Sequence, residues 1–320
     1  MTFEPSAENV SPPRPPLAPP LGPVTGARAI LWNERELRAG WRLAMFVLFF
    51  LLFLFLAGSL LTLLRFPMAM HGGITPGGML VQEGAEFFAV LGAAAIMGVA
   101  EARPFGAYGL PRAGAFGSRF WQGVAWGIAM IAAIIFLIRI FGGLSFAGLA
   151  LSGPEILRYG ALWALVFLFV GFFEEFLFRG YAQFTLATGM GFWPAATALS
   201  AGFGAVHLFN GGEDKIGALS VFAVAMFLCL TLRRTGNLWF AVGLHAAFDW
   251  GETFLFSVPD SGIVAPGHLL NAYLHGPAWL TGGTVGPEGS VMAFAVAGVA
   301  AGLFARFYRD GEPQASKPGD

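Results

Sequence analysis

The chain has 320 residues, of which 56% are hydrophobic and 12% charged, with a mean hydropathy of +0.68. Soluble domains carry about 25% charged residues, so this composition excludes an ordinary soluble globule and points to a polytopic membrane protein. A net charge of -1 leaves no nucleic-acid footprint, and the single Cys229 excludes both an intrachain disulfide and a zinc finger.

Residues 1–28 are Pro-rich and lack an apolar core of signal-peptide length, so they read as a disordered cytoplasmic tail. An amphipathic piece, Ala29–Gly40, carries Arg35 and Arg38 and is expected at the interface. Runs near the ~20 apolar residues that a membrane helix needs then recur in order. They are Trp41–Leu64, Gly78–Ala100, Phe120–Phe141, Glu155–Thr188, Gly191–Phe209, Ile216–Leu232, Leu238–Phe256 and Val291–Phe307, the sixth being the shortest. The expected fold is therefore an all-α polytopic membrane protein of about eight transmembrane helices with an intramembrane polar cavity. Its divisions are the tail 1–28, membrane helices within 29–154, a core 155–256, an outer loop 257–290, and a last span and tail within 291–320.

Basic residues alternate across the connections. Arg14, Arg28, Arg35, Arg38 and Arg42 precede the first span; Arg103, Arg112 and Arg119 follow the second; Arg233 and Arg234 follow the sixth; Arg306, Arg309 and Lys317 follow the eighth. Segments 142–154 and 257–290 have no Lys or Arg, and only Lys215 in loop 210–215 breaks the alternation. The positive-inside rule then puts both termini in the cytoplasm and 257–290, with His268 and His275, outside. Use of Arg over Lys, together with Ala and Gly richness, suggests a bacterial plasma membrane.

Most spans are apolar filler, and the exceptions stand out. Glu174 and Glu175 are adjacent, so they point about 100° apart on a helix. Arg179 lies at i+4 from Glu175, the favoured order for a helical ion pair, which leaves Glu174 unpaired. The stretch after Gly180, Tyr181–Thr188, holds no helix breaker until Gly189, so the fourth span reads as one helix to about Thr188, with Glu174 ~20 Å from its end. His207 lies ~24 Å along the fifth span, and His245 and Asp249 lie roughly 10 and 16 Å along the seventh, one turn apart on one face. All fall in one band of the bilayer. Ionisable groups at depth are rare and line cavities or pathways. Glu83 and Glu86 read as interfacial, Asn210, Glu213 and Asp214 as solvated, His71 as an outer-loop residue, and Trp41, Trp121, Trp126 and Trp279 as belt residues. Cys229 reads as packing.

A carboxylate and an imidazole beside a wet cavity suit general acid–base chemistry on water, and a second imidazole can hydrogen-bond an oxyanion. The spans hold no GxSxG or HExxH, and Ser200 and Ser220 have no motif around them. Two alternatives stay open. One is zinc held by Glu174 or Glu175 with His207, His245 and Asp249. The other is a transporter or a non-catalytic scaffold.

Glu174–Glu175-x-x-x-Arg179–Gly180, Phe203-x-x-x-His207 and His245-x-x-x-Asp249 together resemble the CPBP family of intramembrane glutamic endopeptidases, which includes type II CAAX prenyl proteases and Abi-type proteins. The resemblance runs from about Glu155 to Phe256. It implies that Glu174 activates water with His207, that Glu175 and Arg179 organise the helix, and that His245 and Asp249 stabilise the oxyanion, without a required cofactor. The implied partners are membrane lipid and a peptide or protein substrate that a lipid modification would suit. An ionised Asp only accepts hydrogen bonds, so Asp249 is expected either to be protonated or to orient His245.

Overall fold

The computed structural model describes residues 25–308 apart from 27, 35, 67–74 and 105. His71, Arg14, Arg35, Arg309 and Lys317 lie outside the described residues. A short helix α1 (Arg28–Leu31) is followed by a Trp32–Leu37 bridge and then α2 (Ala39–Leu63). The amphipathic piece 29–40 is thus one helical turn and a hairpin-like bend. Arg38 closes it by donating from Nε to the Ala29 carbonyl at 2.7 Å.

Next come α3 (Pro76–Ala100), α4 (Ser118–Ile140), strand β1 (Leu144–Leu149) and α5 (Pro154–Glu175). A π-helical turn over Phe176–Ala182 joins α5 to α6 (Gln183–Met190). Then follow α7 (Phe192–His207), α8 (Lys215–Thr235) and α9 (Trp239–Trp250), which continues in a second π-helical turn, Gly251–Leu255. Strand β2 (Leu270–Leu274), the short α10 (Ala278–Thr281) and α11 (Val291–Phe307) complete the order.

Five of these helices are long and apolar enough to cross a membrane: 39–63, 76–100, 118–140, 154–190 and 215–235. The protein is therefore a mostly helical, polytopic membrane protein. The remaining expected spans are also helical, but α7, α9 and α11 fall short of that length, so a count of eight is not reached. The sixth expected span, the shortest in the sequence reading, forms a full 21-residue helix, because Asp214 caps it (its Oδ1 accepts from the Ile216 and Gly217 amides) and Gly236 ends it in a left-handed turn. The expectation of an all-α chain also needs amendment. β1 and β2, from two segments read as loops, pair antiparallel, with Leu144 opposite Leu274.

The fourth expected span is not one straight helix. It runs to Met190, but Gly180 has a non-helical ψ of -116°. A Cβ there would press on Phe176 and approach the Tyr108 carbonyl, so the absent side chain lets the chain bend and the 101–117 connection pack close.

Position in the bundle follows composition. Helix α2 buries only Ala39, Arg42, Phe46 and Phe50 of its 25 residues, so its apolar surface faces outward, as a lipid-facing helix must. Helix α9 is its opposite: from Leu238 to Asp249 every residue is buried except His245. Its residues enter two cores, one with Phe46, Val90, Phe172 and Tyr181, and one with Ile131, Ile134, Ile138 and Phe304. Gly123 and Gly127 of α4 let α9 approach: a Cβ at Gly123 would collide with the Phe240 carbonyl, and one at Gly127 with the Leu244 carbonyl. This is the close small-residue packing of membrane helices, and it fixes the residue preceding His245. Trp126 is half-buried in this packing, tilted or edge-on against Phe227, Phe240, Phe304 and Tyr308. Trp41, Trp121 and Trp279 are exposed.

At the end of the bundle near Ala39, the buried Arg42 uses both terminal guanidinium nitrogens. It pairs with Glu36 at 3.0 Å and Glu101 at 3.3 Å, and donates to Thr188 Oγ1 at 2.6 Å. Tyr108 and Tyr181 donate their hydroxyls to Glu101. Burial and the Glu101 charge push the Tyr108 phenol well above its ordinary value, which keeps it a donor.

Candidate active site

A partly open cavity of about 320 Å³ lies between α3, α4, α5, α7, α8, α9, α11 and the 257–290 segment. One part of its wall is apolar, with Met130, Ile134, Trp163, Phe167 and Leu228; another carries Glu83, Glu174, His207, His245 and Asp249. All four residues singled out in the sequence as candidate catalytic groups therefore face one space.

The two adjacent glutamates occupy different environments. Glu175 has no exposed side-chain surface. Its Oε1 accepts from Arg179 Nη1 at 3.0 Å and from His245 Nδ1 at 2.9 Å. The i, i+4 spacing predicts the first contact, while the second crosses from α5 to α9, where Gly171 admits Val242 and Ala246. Arg179 is itself buried, with its guanidinium carbon 4.3 Å from the Phe203 ring centroid, a cation–π contact. Glu174 lines the cavity, with 22% of its side chain exposed. Its ion-pair partner is His245, at 3.5 Å from Nε2, rather than His207.

The two imidazoles are set differently. His207 Nδ1 lies 2.8 Å from the Phe203 carbonyl. A carbonyl only accepts, so Nδ1 carries the proton and a neutral ring presents Nε2 as an acceptor. His245 Nδ1 donates to Glu175. Its Nε2 lies 3.5 Å from Glu174 Oε2 and 3.4 Å from Asp249 Oδ2. Ionised carboxylates only accept, so at least one proton is shared among Nε2, Glu174 and Asp249. Asp249 thus touches His245 directly, the geometry that the orienting alternative requires.

Sequence reasoning misplaced several neighbours. Glu83, read as interfacial, lines the cavity, while Glu86 accepts from Gln82 Nε2 at 3.1 Å. Asn210 also reaches the cavity. Cys229 is buried, as its apolar surroundings suggested, with Ser200 Oγ 3.8 Å away. His268 and His275 are tied into the loops, His275 through Ser145 at 2.7 Å. Among the described residues, a group whose ligand atoms all lie within 4.8 Å of one another is formed by Glu252, Asp260 and Glu288. None of these was singled out in the sequence, and none belongs to the set weighed for zinc.

With this geometry in place, comparison with known proteins is informative. Residues 156–251 match the family model described as Rce1-like, type II CAAX prenyl endopeptidase. The match covers about a third of the chain, and this stretch is similar to that family. It contains Glu174, Glu175, Arg179, His207, His245 and Asp249, and stops one residue before Glu252. No curated protein and no solved structure matched the chain.

Proposed function

We propose that the protein is a CAAX-protease-like intramembrane endopeptidase that hydrolyses a peptide bond with water activated by Glu174 and His207. The observation that carries this reading is the unlike setting of the two imidazoles. The Phe203 carbonyl leaves His207 Nε2 as an acceptor, fit to hold a water proton. Contact with Glu175, Glu174 and Asp249 makes His245 a donor, fit to meet an oxyanion.

In this mechanism water sits between the Glu174 carboxylate and His207 Nε2. Glu174 takes one proton as the water oxygen attacks the scissile carbonyl carbon. The carbonyl electron pair moves onto oxygen, where His245 Nε2–H stabilises it. Collapse breaks the C–N bond, and Glu174 returns its proton to the leaving amine. Glu175 and Asp249 hold the His245 ring, and Arg179 balances Glu175.

The apolar wall of Met130, Ile134, Trp163, Phe167 and Leu228 favours a membrane-associated or lipidated peptide. In this reading the basic residues of the connections put both termini in the cytoplasm, and the use of Ala, Gly and Arg points to a bacterial plasma membrane. The test compares peptide termini in cells carrying wild type or Glu174→Ala. A neo-terminus lost only in the variant supports the reading and names the substrate. Purified protein should then cut that substrate after exhaustive chelation and with Asp249→Asn. Activity lost on chelation would move the reading to the metal alternative. No cleavage difference in cells would favour the scaffold or transporter.

A further inference from the structure

The Glu252, Asp260 and Glu288 group lies at the edge of the cavity described above and outside the family-matched segment. Glu252 sits on the π-helical turn after α9, seven residues past His245, roughly 10 Å along the helix. Asp260 follows in the next turn, and Glu288 is on the 3₁₀ turn Pro287–Gly289 that leads into α11. Asp260 and Glu288 also reach the cavity wall.

Two of the three carboxylates are oriented by neighbours. Thr253 Oγ1 donates to Asp260 Oδ2 at 2.9 Å. Ser261 donates to Glu288 Oε2 from both its amide, at 3.1 Å, and its hydroxyl, at 2.8 Å. Glu252 has no exposed surface, and neither of its carboxylate oxygens has a hydrogen-bond partner among the described residues. A buried carboxylate needs a counter-charge or a proton. The chain offers no Lys or Arg between Arg234 and Arg306. Around a calcium-sized ion, oxygen ligands at 2.3–2.6 Å lie about 3.3–5 Å from one another. The ligand atoms here all fall within 4.8 Å, and an all-oxygen set suits a hard cation.

We propose that Glu252, Asp260 and Glu288 bind one hard divalent cation of the Ca²⁺ or Mg²⁺ class, which fastens the 257–290 segment and the start of α11 to the end of α9. The ion joins three chain segments that share no helix. Its charge offsets most of the repulsion among the three facing carboxylates beside the cavity, and it takes no part in the water chemistry at Glu174.

The experiment uses the full chain, purified in detergent and stripped with EDTA, with thermal unfolding followed during CaCl₂ or MgCl₂ titration. A saturable rise in Tm of about 5 °C is expected at ~100-fold excess over Kd. Glu174→Gln keeps the rise; Glu252→Gln and Glu288→Gln lose it. Tb³⁺ emission sensitised by nearby tryptophan, displaced by Ca²⁺, supplies a readout on wild type that does not depend on the variants folding. In the stripped state Glu252→Gln should melt at or above wild type, since an amide replaces one of three facing carboxylates. Absence of both the Tm rise and the Tb³⁺ signal in wild type overturns the proposal. So does a rise that persists in Glu252→Gln and Glu288→Gln.

Discussion

Two groups of acidic residues flank the same cavity and are built on opposite plans. Around His245, each carboxylate meets an imidazole or a guanidinium: Glu175 meets Arg179 and His245, while Glu174 and Asp249 meet His245. Some 10 Å further along α9, Glu252, Asp260 and Glu288 meet one another. The first group carries counter-charges of its own, Arg179 and His245. The second must take its counter-charge from outside. The family-matched segment ends between them, so the self-sufficient group lies in the part similar to the Rce1-like family model and the dependent one does not.

The contrast can be broken first at its catalytic side. Glu174→Gln should lower cleavage of the identified substrate by 10²- to 10⁴-fold while leaving Tm close to wild type, because Glu174 lines the cavity. A matching loss of Tm would mean that Glu174 serves packing. Glu175→Gln should instead lower stability by about 3–5 kcal/mol, measured by denaturation in detergent, and lower cleavage with it, since Arg179 loses its buried partner and His245 its anchor. Equal behaviour of the two variants in both assays would abolish the division of labour. A smaller effect is expected from Gly127→Leu, about 1–3 kcal/mol, with slower cleavage because α9 is pushed away from α4 beside His245. Unchanged stability would show that the α4–α9 contact is not tight.

The smallest effect sharpens the acidic side. Burial, with the charges of Asp249 and Glu288, holds the Asp260 carboxyl well above its usual range; Thr253 and His245 act the other way. A raised native value means that the folded state binds more protons. Its stabilising contribution is therefore full below about pH 4 and is lost as pH rises through the native value. Metal-free protein should melt lower at pH 8 than at pH 5.5, and Asp260→Asn should flatten that slope. A slope of opposite sign would remove Asp260 as its source.

Much of the site was legible because its signals are local. The Glu175–Arg179 spacing gives an ion pair on any helix, and His245 with Asp249 shares a face by the same periodicity. Charged groups among Phe and Leu announce themselves because hydrocarbon tolerates few. Glu252, Asp260 and Glu288 gave no such signal. They lie at a span end and in loops, where single acids are ordinary, and 36 residues separate the first from the last.

Composition and periodicity by themselves determined a helical membrane protein and the residues able to do acid–base work, because partition into lipid and helical geometry act residue by residue. Tertiary structure alone decided the rest. It placed the kink at Gly180, turned Glu175 toward His245 as well as Arg179, gave His207 its tautomer through a carbonyl, and gathered three unsignalled carboxylates. Each of these depends on which backbones approach closely, and close approach is set by the packing of several helices at once.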